Sequence, residues 1–320
     1  MALGVDGVRI GTWTAPGAVS GCTVVLPPPG TVGAMAVRGS APGTREAAAL
    51  GAMGKVQVCH GVLLSGGSAY GLSAADGVVR WLEARGIGYP VGDAVVPIVA
   101  AAIVLDAAVA HPAARPGQQA GWQACAAASE DDPDEGRVGV GAGCTVAKVA
   151  GLEHAWRSGQ GLAIRRAGGV TVGALVANNA VGEVVGDDGA WLLRARVPDD
   201  AERFPLIDPF AAAGPGPGPG PTTNTVIGCI VTDAVLSKRD AYRVADLGHS
   251  GIARALRPAH TEADGDALCC LATGRVPASV DLVAHLAAEA VAEATRRGPL
   301  LATSGPSLPG GTALPGMAGR

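Results

Sequence analysis

Residues 214–233 read GPGPGPGPTTNTVIGCIVTD. A Gly-Pro repeat stops at Pro221, Thr222, Thr223, Asn224 and Thr225 come next, and residues 226–231 form an unbroken apolar run. Proline lacks the amide donor and glycine carries the largest chain entropy, so the repeat forms neither helix nor sheet. The run VIGCIV, bounded by polar residues, has the composition of a strand buried on both faces. The least regular segment of the chain thus abuts its most buried strand, with Asn224-Thr225 at the join.

Working outward, the rest of the chain supplies partners for that strand. VLLS at 62–65 is a short apolar run and GGSAYG stands next to it at 66–71. Leu72, Ala75, Val78, Val79 and Leu82 then share one helical face, with Gly86 as the stop, so residues 62–86 predict a strand, a glycine turn and a helix. VGVGAG at 138–143 predicts a glycine-rich lead into a short helix, and residues 169–176 predict a strand ended by Asn178-Asn179. Ser237 is expected to cap a helix that runs to about Leu256, where Arg257-Pro258 stops it. Residues 281–297 predict a further helix ended by Gly298. The Gly-, Pro- and Ser-rich tail from Ser304 is expected to fray.

The segment 198–221 reads as a mobile surface loop rather than a domain boundary. The chain beyond it holds one strong strand and two helices, too little for a sheet of its own. Residues 1–320 are therefore expected to form a single α/β domain.

Composition limits the function. The chain has 320 residues, is 48% hydrophobic and carries 16% charged residues with a net charge of −4. That is enough for a large core and too little positive charge for a nucleic-acid surface. The apolar run at 95–110 is short and contains Asp106, so it predicts a buried core element rather than a membrane span. No secretion signal stands at the N-terminus, and a cytoplasmic location is expected. Seven scattered cysteines without a CxxC predict reduced core residues, not disulfides or a zinc site. The six histidines contain no HExxH, so no metal is expected.

The join is where chemistry is expected. A threonine at a chain start offers a hydroxyl nucleophile beside a free α-amine, whose reference pKa of about 7.7–8.0 lets it accept the hydroxyl proton. Cleavage of Asn224–Thr225 would create such a terminus. Against this stands the commoner case, an ordinary Asn-Thr before a strand. Asp264 and Asp266 flank Gly265 and share one face if the backbone is extended, where paired carboxylates can hold an ammonium and orient a hydroxyl; an Asp-Gly turn is as common. Lys148 in GAGCTVAK offers positive charge near an acyl oxygen. Asn179 and Tyr70 offer donors to an oxyanion, and Gly66, Gly67 and Ser68 a substrate-facing turn. His60 and His260 flank these motifs and are candidates to support their residues from behind, against the commoner case of a satisfied structural histidine. GGSAY is not the G-x-S-x-G elbow, because Tyr70 replaces its second glycine, and VGVGAG completes no phosphate loop.

Taken together these residues resemble the DmpA-like family: the L-aminopeptidase/D-esterases, with β-peptidyl aminopeptidases and nylon-oligomer hydrolases. The resemblance rests on GCTVVLPPPG (21–30), RGSAPGTRE (38–46), residues 60–92 around GGSAYG, VPIVAAAIVLD (96–106), VGAGCTVAK (140–148), VTVGALVANNAVGEVV (170–185), NTVIGCIVTDA (224–234) and HTEADGDALCCLATG (260–274). It implies an α-β-β-α four-layer sandwich of the type shared with ornithine acetyltransferase-like proteins. It implies a precursor that cleaves itself before Thr225, giving chains 1–224 and 225–320. Matched by position, Asp264 and Asp266 orient the new amine and hydroxyl, and Asn179 and Tyr70 position oxyanion and substrate. Lys148 matches a lysine of the nylon-hydrolase branch, to which Thr225 and the Asp-Gly-Asp pair place this chain nearer. Gly143-Cys144-Thr145 stands where the family commonly has Gly-Thr-Gly. The implied enzyme acts on small amides, peptides or esters, needs no cofactor and assembles as a homotetramer. During maturation the Thr225 nitrogen is still an amide, so another group, Asp264 or Asp266, must be the base. An acyltransferase on the same fold and a non-catalytic binding protein are the competing readings.

Overall fold

The computed structural model describes residues 1–107, 109–198, 200–201, 224–307 and 312–319. The expected loop at 198–221 lies almost wholly outside them. Ten strands build two five-stranded sheets. In chain order they are β1 (Arg9–Thr14), β2 (Gly21–Leu26), β3 (Val32–Val37), β4 (Thr44–Arg45), β5 (Gly61–Ser65), β6 (Val99–Ile103), β7 (Gln160–Ala167), β8 (Val170–Asn179), β9 (Thr225–Ala234) and β10 (Ala267–Val276). The first sheet runs β1-β2-β5-β6-β4 and the second β7-β8-β9-β10-β3. Each has one parallel pair, β5/β6 and β9/β10; the remaining neighbours are antiparallel.

Period-2 alternation sorts the side chains into layers. Val62 and Leu64 of β5, Ala100 and Ala102 of β6, and Ile227, Cys229 and Val231 of β9 fill one core between the sheets. Val24, Leu63 and Ala101 point the other way, onto Val78, Trp81 and Leu82 of helix α1 (Ala74–Glu83) and Ala120 and Ala124 of α2 (Gln118–Ala126). Val226, Ile230, Leu268 and Cys270 face Val244 and Ile252 of α3 (Lys238–Ala255) and Val283, Ala287 and Val291 of α4 (Val280–Leu300). The order is helix, sheet, sheet, helix, the four-layer sandwich expected. β9 is buried at nine of its ten positions, as its composition required. All seven cysteines are free and buried.

Ser237 caps α3 through a reciprocal capping box with Asp240. Three expectations need correction. Helix α4 does not end at Gly298 but runs to Leu300. A Cβ on Gly298 would sit 2.5 Å from the Gly159 carbonyl oxygen, so this glycine serves close packing, not termination. VGVGAG does not introduce a helix: Gly139–Gly143 is itself a buried 3₁₀ turn, followed by a two-residue strand, Thr145–Val146. The tail does not simply fray. The Arg157 amide donates to the Pro315 carbonyl at 2.9 Å, and Leu314 is buried against Val109. Among the described residues, no helix is long and apolar enough to cross a membrane.

Candidate active site

The sheet register assembles the site. β9 starts at Thr225, which pairs with Asn179 at the end of β8. On the other side β9 runs parallel to β10, with Ile227 beside Ala267, and Asn224 makes a parallel bridge to Asp264. The two edges of one strand thus bring Asn179, from upstream, and Asp264, from downstream, to Thr225. Asn179, Asn224, Thr225, Asp264, Asp266 and Lys148 are all buried.

Asp264 and Asp266 do not share a strand face. β10 begins only at Ala267, and residues 262–263 form a turn closed by Asp264 Oδ2, which accepts from the Thr261 amide at 2.6 Å. The Asp-Gly turn and the pairing of the two carboxylates are the same structure. Asp264 Oδ1 is buried and has no hydrogen-bond partner. Burial raises the Asp264 pKa, the charge of Asp266 raises it further, and the Thr261 hydrogen bonds and Lys148 oppose the rise. Both Asp266 oxygens have partners: Oδ1 accepts from the Val226 amide at 2.6 Å, and Oδ2 lies 2.6 Å from His260 Nδ1.

At the join, the Asn224 carbonyl oxygen accepts from the Gly265 amide at 3.3 Å and from the Thr225 hydroxyl. A Cβ on Gly265 would sit 3.3 Å from Thr225 Oγ1, so the hydroxyl lies against the Asp-Gly-Asp backbone. That turn is held from behind by residues 38–41: Arg38 and Gly39 amides donate to the Asp266 carbonyl, and the Ala41 amide to that of Asp264. At Gly39 an added Cβ would fall 2.2 Å from the Asp264 oxygen, so only glycine allows this approach.

Lys148 Nζ donates to the Asn179 carbonyl at 2.9 Å and lies 3.3 Å from Asn179 Oδ1. Burial brings its pKa down to about 7, against the attraction of Cys144 and Asp264. Asn179 Oδ1 also accepts from the Thr145 amide at 3.0 Å, and Nδ2 donates to the Leu105 carbonyl at 3.1 Å. The Leu105 bond joins the two sheets at the site.

Tyr70 stays outside this group. It lies on the 3₁₀ turn Ser68–Ser73, is 67% exposed, and stacks under the Arg115 guanidinium at 4.1 Å. The donor found at the Asn224 carbonyl is the Gly265 main chain, not the Tyr70 phenol. Gly67 is left-handed (φ 84°) and its amide donates to Asp106 Oδ1 at 2.8 Å; Gly66 bonds the Gly21 carbonyl, and Ser68 Oγ is buried without a partner. His60 is structural, its Nδ1 accepting from the Ile98 amide at 3.0 Å. Among the described residues no group of three or more His, Cys, Asp or Glu is placed to hold a metal. The sequence carried no sign of Gly39, Gly265 and Leu105, which act through main-chain atoms, and offered His260 only as one of two flanking histidines that could support the site.

The model of peptidase family S58 matches residues 3–305. An uncharacterised aminopeptidase of Mycobacterium tuberculosis is 42% identical over 286 residues, covering 85% of this chain and 81% of the relative. A 6-aminohexanoate-oligomer endohydrolase of Kocuria sp. is 31% identical over 273 residues, 84% and 74% of the two chains. Among solved structures, the L-aminopeptidase D-Ala-esterase/amidase of Ochrobactrum anthropi, described as a variant of the Ntn-hydrolase fold, superposes with a TM-score of 0.73 at 18% identity, covering 98% of this chain and 90% of that one. A β-aminopeptidase of Burkholderia sp. gives 0.72 at 21% identity, with the same coverage. The fold, the assembled join and these likenesses agree: the chain belongs to peptidase family S58.

Proposed function

We propose that this protein is an amide hydrolase that first cleaves itself between Asn224 and Thr225 and then uses the new N-terminal threonine on small amides, peptides or esters. The observation that carries the reading is the Asn224 carbonyl, held between the Gly265 amide and the Thr225 hydroxyl beside a carboxylate with one unpartnered oxygen.

In self-cleavage the Thr225 hydroxyl oxygen attacks the Asn224 carbonyl carbon. Asp264, with one oxygen unpartnered, takes the hydroxyl proton, while both Asp266 oxygens already have partners. The Gly265 amide holds the oxyanion, as a main-chain donor aimed at developing charge does. The C–N bond breaks as its nitrogen is protonated, leaving an ester between Asn224 and the Thr225 oxygen. Water hydrolyses that ester, and Thr225 is left with a free α-amine and hydroxyl. In turnover the amine replaces Asp264 as base, and an acyl-enzyme on Thr225 is hydrolysed in the same way. Lys148 and Asn179 form the polar wall opposite the turn. Thr225 is 3% exposed in the uncut chain, so the nucleophile reaches a substrate only after the join has opened.

The aminopeptidase and oligomer-hydrolase names of the relatives favour an amide as the substrate. Intact mass measurement of the parent and of Thr225→Ala tests the reading. Two fragments divided at Asn224/Thr225 in the parent and one uncut chain in the variant are expected. A parent that stays whole for days, or a variant that is cut like the parent, overturns it.

A further inference from the structure

The proposed reaction uses Thr225, Asp264 and the Gly265 amide, and leaves Asp266 as a carboxylate that only holds the strand. Its partner is a histidine that the family resemblance gave no role. His260 sits in the left-handed region (φ 56°), uncommon for a residue with a side chain. This turns its ring back onto the site.

Both ring nitrogens meet oxygen acceptors. Nε2 lies 3.2 Å from the main-chain carbonyl of His249, which can only accept, so Nε2 carries a hydrogen. Nδ1 lies 2.6 Å from Asp266 Oδ2, and the other Asp266 oxygen already accepts from the Val226 amide. An imidazole with acceptors at both nitrogens is satisfied when both are protonated. We propose that His260 is held as an imidazolium and is the positioning residue of Asp266, fixing through that carboxylate and the Val226 amide the place of Thr225 at the cleaved bond.

The surroundings fit one positive charge at this position. Asp264 and Asp266 both attract it. The neighbouring ring of His249 packs edge-on at 5.0 Å between centroids, but its Nε2 meets only the Ala36 carbonyl and its Nδ1 has no partner. Burial pushes the His249 pKa down to about 4, with the charges of His260 and Arg38 adding to the fall. The stacked pair therefore holds one neutral ring and one charged ring. Arg38, whose charge acts on His249, is paired with Asp246 at 2.5 Å. Lys148 acts on Asp264 from the other side. For His260 itself burial works to lower the pKa, and the hydrogen bond and charge of Asp266 outweigh it, so the net shift is upward. The imidazolium charge is therefore complete below the ordinary histidine range and is lost as pH rises through the raised value. Self-cleavage controlled by His260 falls on the alkaline side.

The proposal rests on the self-cleavage reading for its kinetic arm alone. The first measurement is nitrogen-resolved NMR of the histidines in uncut Thr225→Ala. Both His260 nitrogens protonated at neutral pH, and a titration far above that of His249, are expected. A His260 that is neutral there, or whose Nδ1 carries no hydrogen, overturns the proposal whether or not the parent cuts itself. The second measurement uses His260→Asn, because Asn tolerates the left-handed backbone. On the Thr225→Ala background this change is expected to speed hydrogen exchange at the Val226 amide while the unfolding midpoint holds. On the native background it is expected to slow self-cleavage by about 10- to 100-fold, the range for losing a hydrogen bond to a charged group, and to abolish the alkaline limb. An unchanged Val226 amide, or a slower reaction with the parent pH profile, assigns His260 to the scaffold and overturns the positioning role.

Discussion

Asp106 and Asp264 are two buried aspartates near the ends of the two parallel strand pairs. Asp106 lies three residues after β6 of the first sheet; Asp264 lies three residues before β10 of the second. Both are nearly inaccessible, and burial raises the pKa of both. They differ in how their oxygens are used. Asp106 Oδ2 accepts from the Ser20 hydroxyl at 2.7 Å and Oδ1 from the Gly67 amide at 2.8 Å, so each oxygen is occupied by a group that pins a loop. Asp264 gives one oxygen to its own turn and leaves the other bare, in the field of the Asp266 carboxylate and on a residue bridged to Asn224. Burial and a raised proton affinity do not by themselves distinguish a scaffold group from a chemical one. The free oxygen of Asp264 at the Asn224–Thr225 join is the difference on which the proposed roles of the two rest.

The comparison breaks if the two aspartates respond alike to the same isosteric change. Asp264→Asn is expected to slow self-cleavage by about 100- to 10,000-fold, the usual worth of a positioned base, with little change in the denaturant midpoint. Asp106→Asn is expected to do the reverse. It weakens two charge-assisted hydrogen bonds and costs about 1–3 kcal/mol of stability, while folded protein still cuts itself. Mass measurement of the cut fraction over time and a urea titration read the two effects separately.

The same difference explains what the sequence alone disclosed. The α/β class was legible in the apolar runs at 62–65 and 226–231 and in the helical spacing between and after them, whereas the four-layer sandwich came from the family resemblance: strands apolar on both faces do not say which face meets a helix and which the other sheet. Thr225, Asp264 and Asp266 were legible as candidates because a hydroxyl and two carboxylates are residue types that announce themselves, and the structure brings all three together. Gly39, Gly265 and Leu105 were not: each contributes a main-chain atom or the lack of a Cβ, and no residue type announces that. Tyr70 was expected at an oxyanion or a substrate because a phenol after a glycine turn is a suitable donor; the 3₁₀ turn sets it against Arg115 and largely in solvent, away from the Asn224 carbonyl's own donors. The two carboxylates were rightly paired but for the wrong backbone reason, since a turn and not a strand brings them to Thr225.

Lys148 sharpens the comparison through charge. Its positive charge lowers the Asp264 pKa, so removing it makes Asp264 hold its proton to higher pH. Lys148→Met is expected to move the acid limb of self-cleavage upward, slowing the reaction several-fold at about pH 6 and far less at about pH 9. The effect fades because the Lys148 pKa, lowered to about 7 by burial, leaves the parent lysine neutral there as well. The stability sign is also fixed. The unfolded lysine keeps its proton to higher pH than the folded one, so this group makes the parent more stable as pH climbs from about 7 towards the ordinary lysine range. The variant lacks that slope. A pH-independent slowing would mean that Lys148 acts only by holding Asn179.

Ser20→Ala is the smallest and most discriminating change, because it gives Asp106 the one feature that marks Asp264. It strips the Ser20 hydroxyl from Oδ2 and leaves that oxygen bare and buried. A lost hydrogen bond to a charged group of this kind costs about 1.5–3 kcal/mol, partly offset if water enters the space left by the hydroxyl. Self-cleavage is expected to stay within about twofold of the parent, because Asp106 acts on the Gly67 turn and not on the Asn224 carbonyl. If it slows by more than the loss of folded protein accounts for, the Asp106 scaffold reaches Thr225. The route would be the adjacent Leu105 carbonyl and its bond to Asn179, the cross-sheet tie beside Thr225. The two aspartates would then be parts of one device rather than contrasting uses of the same residue.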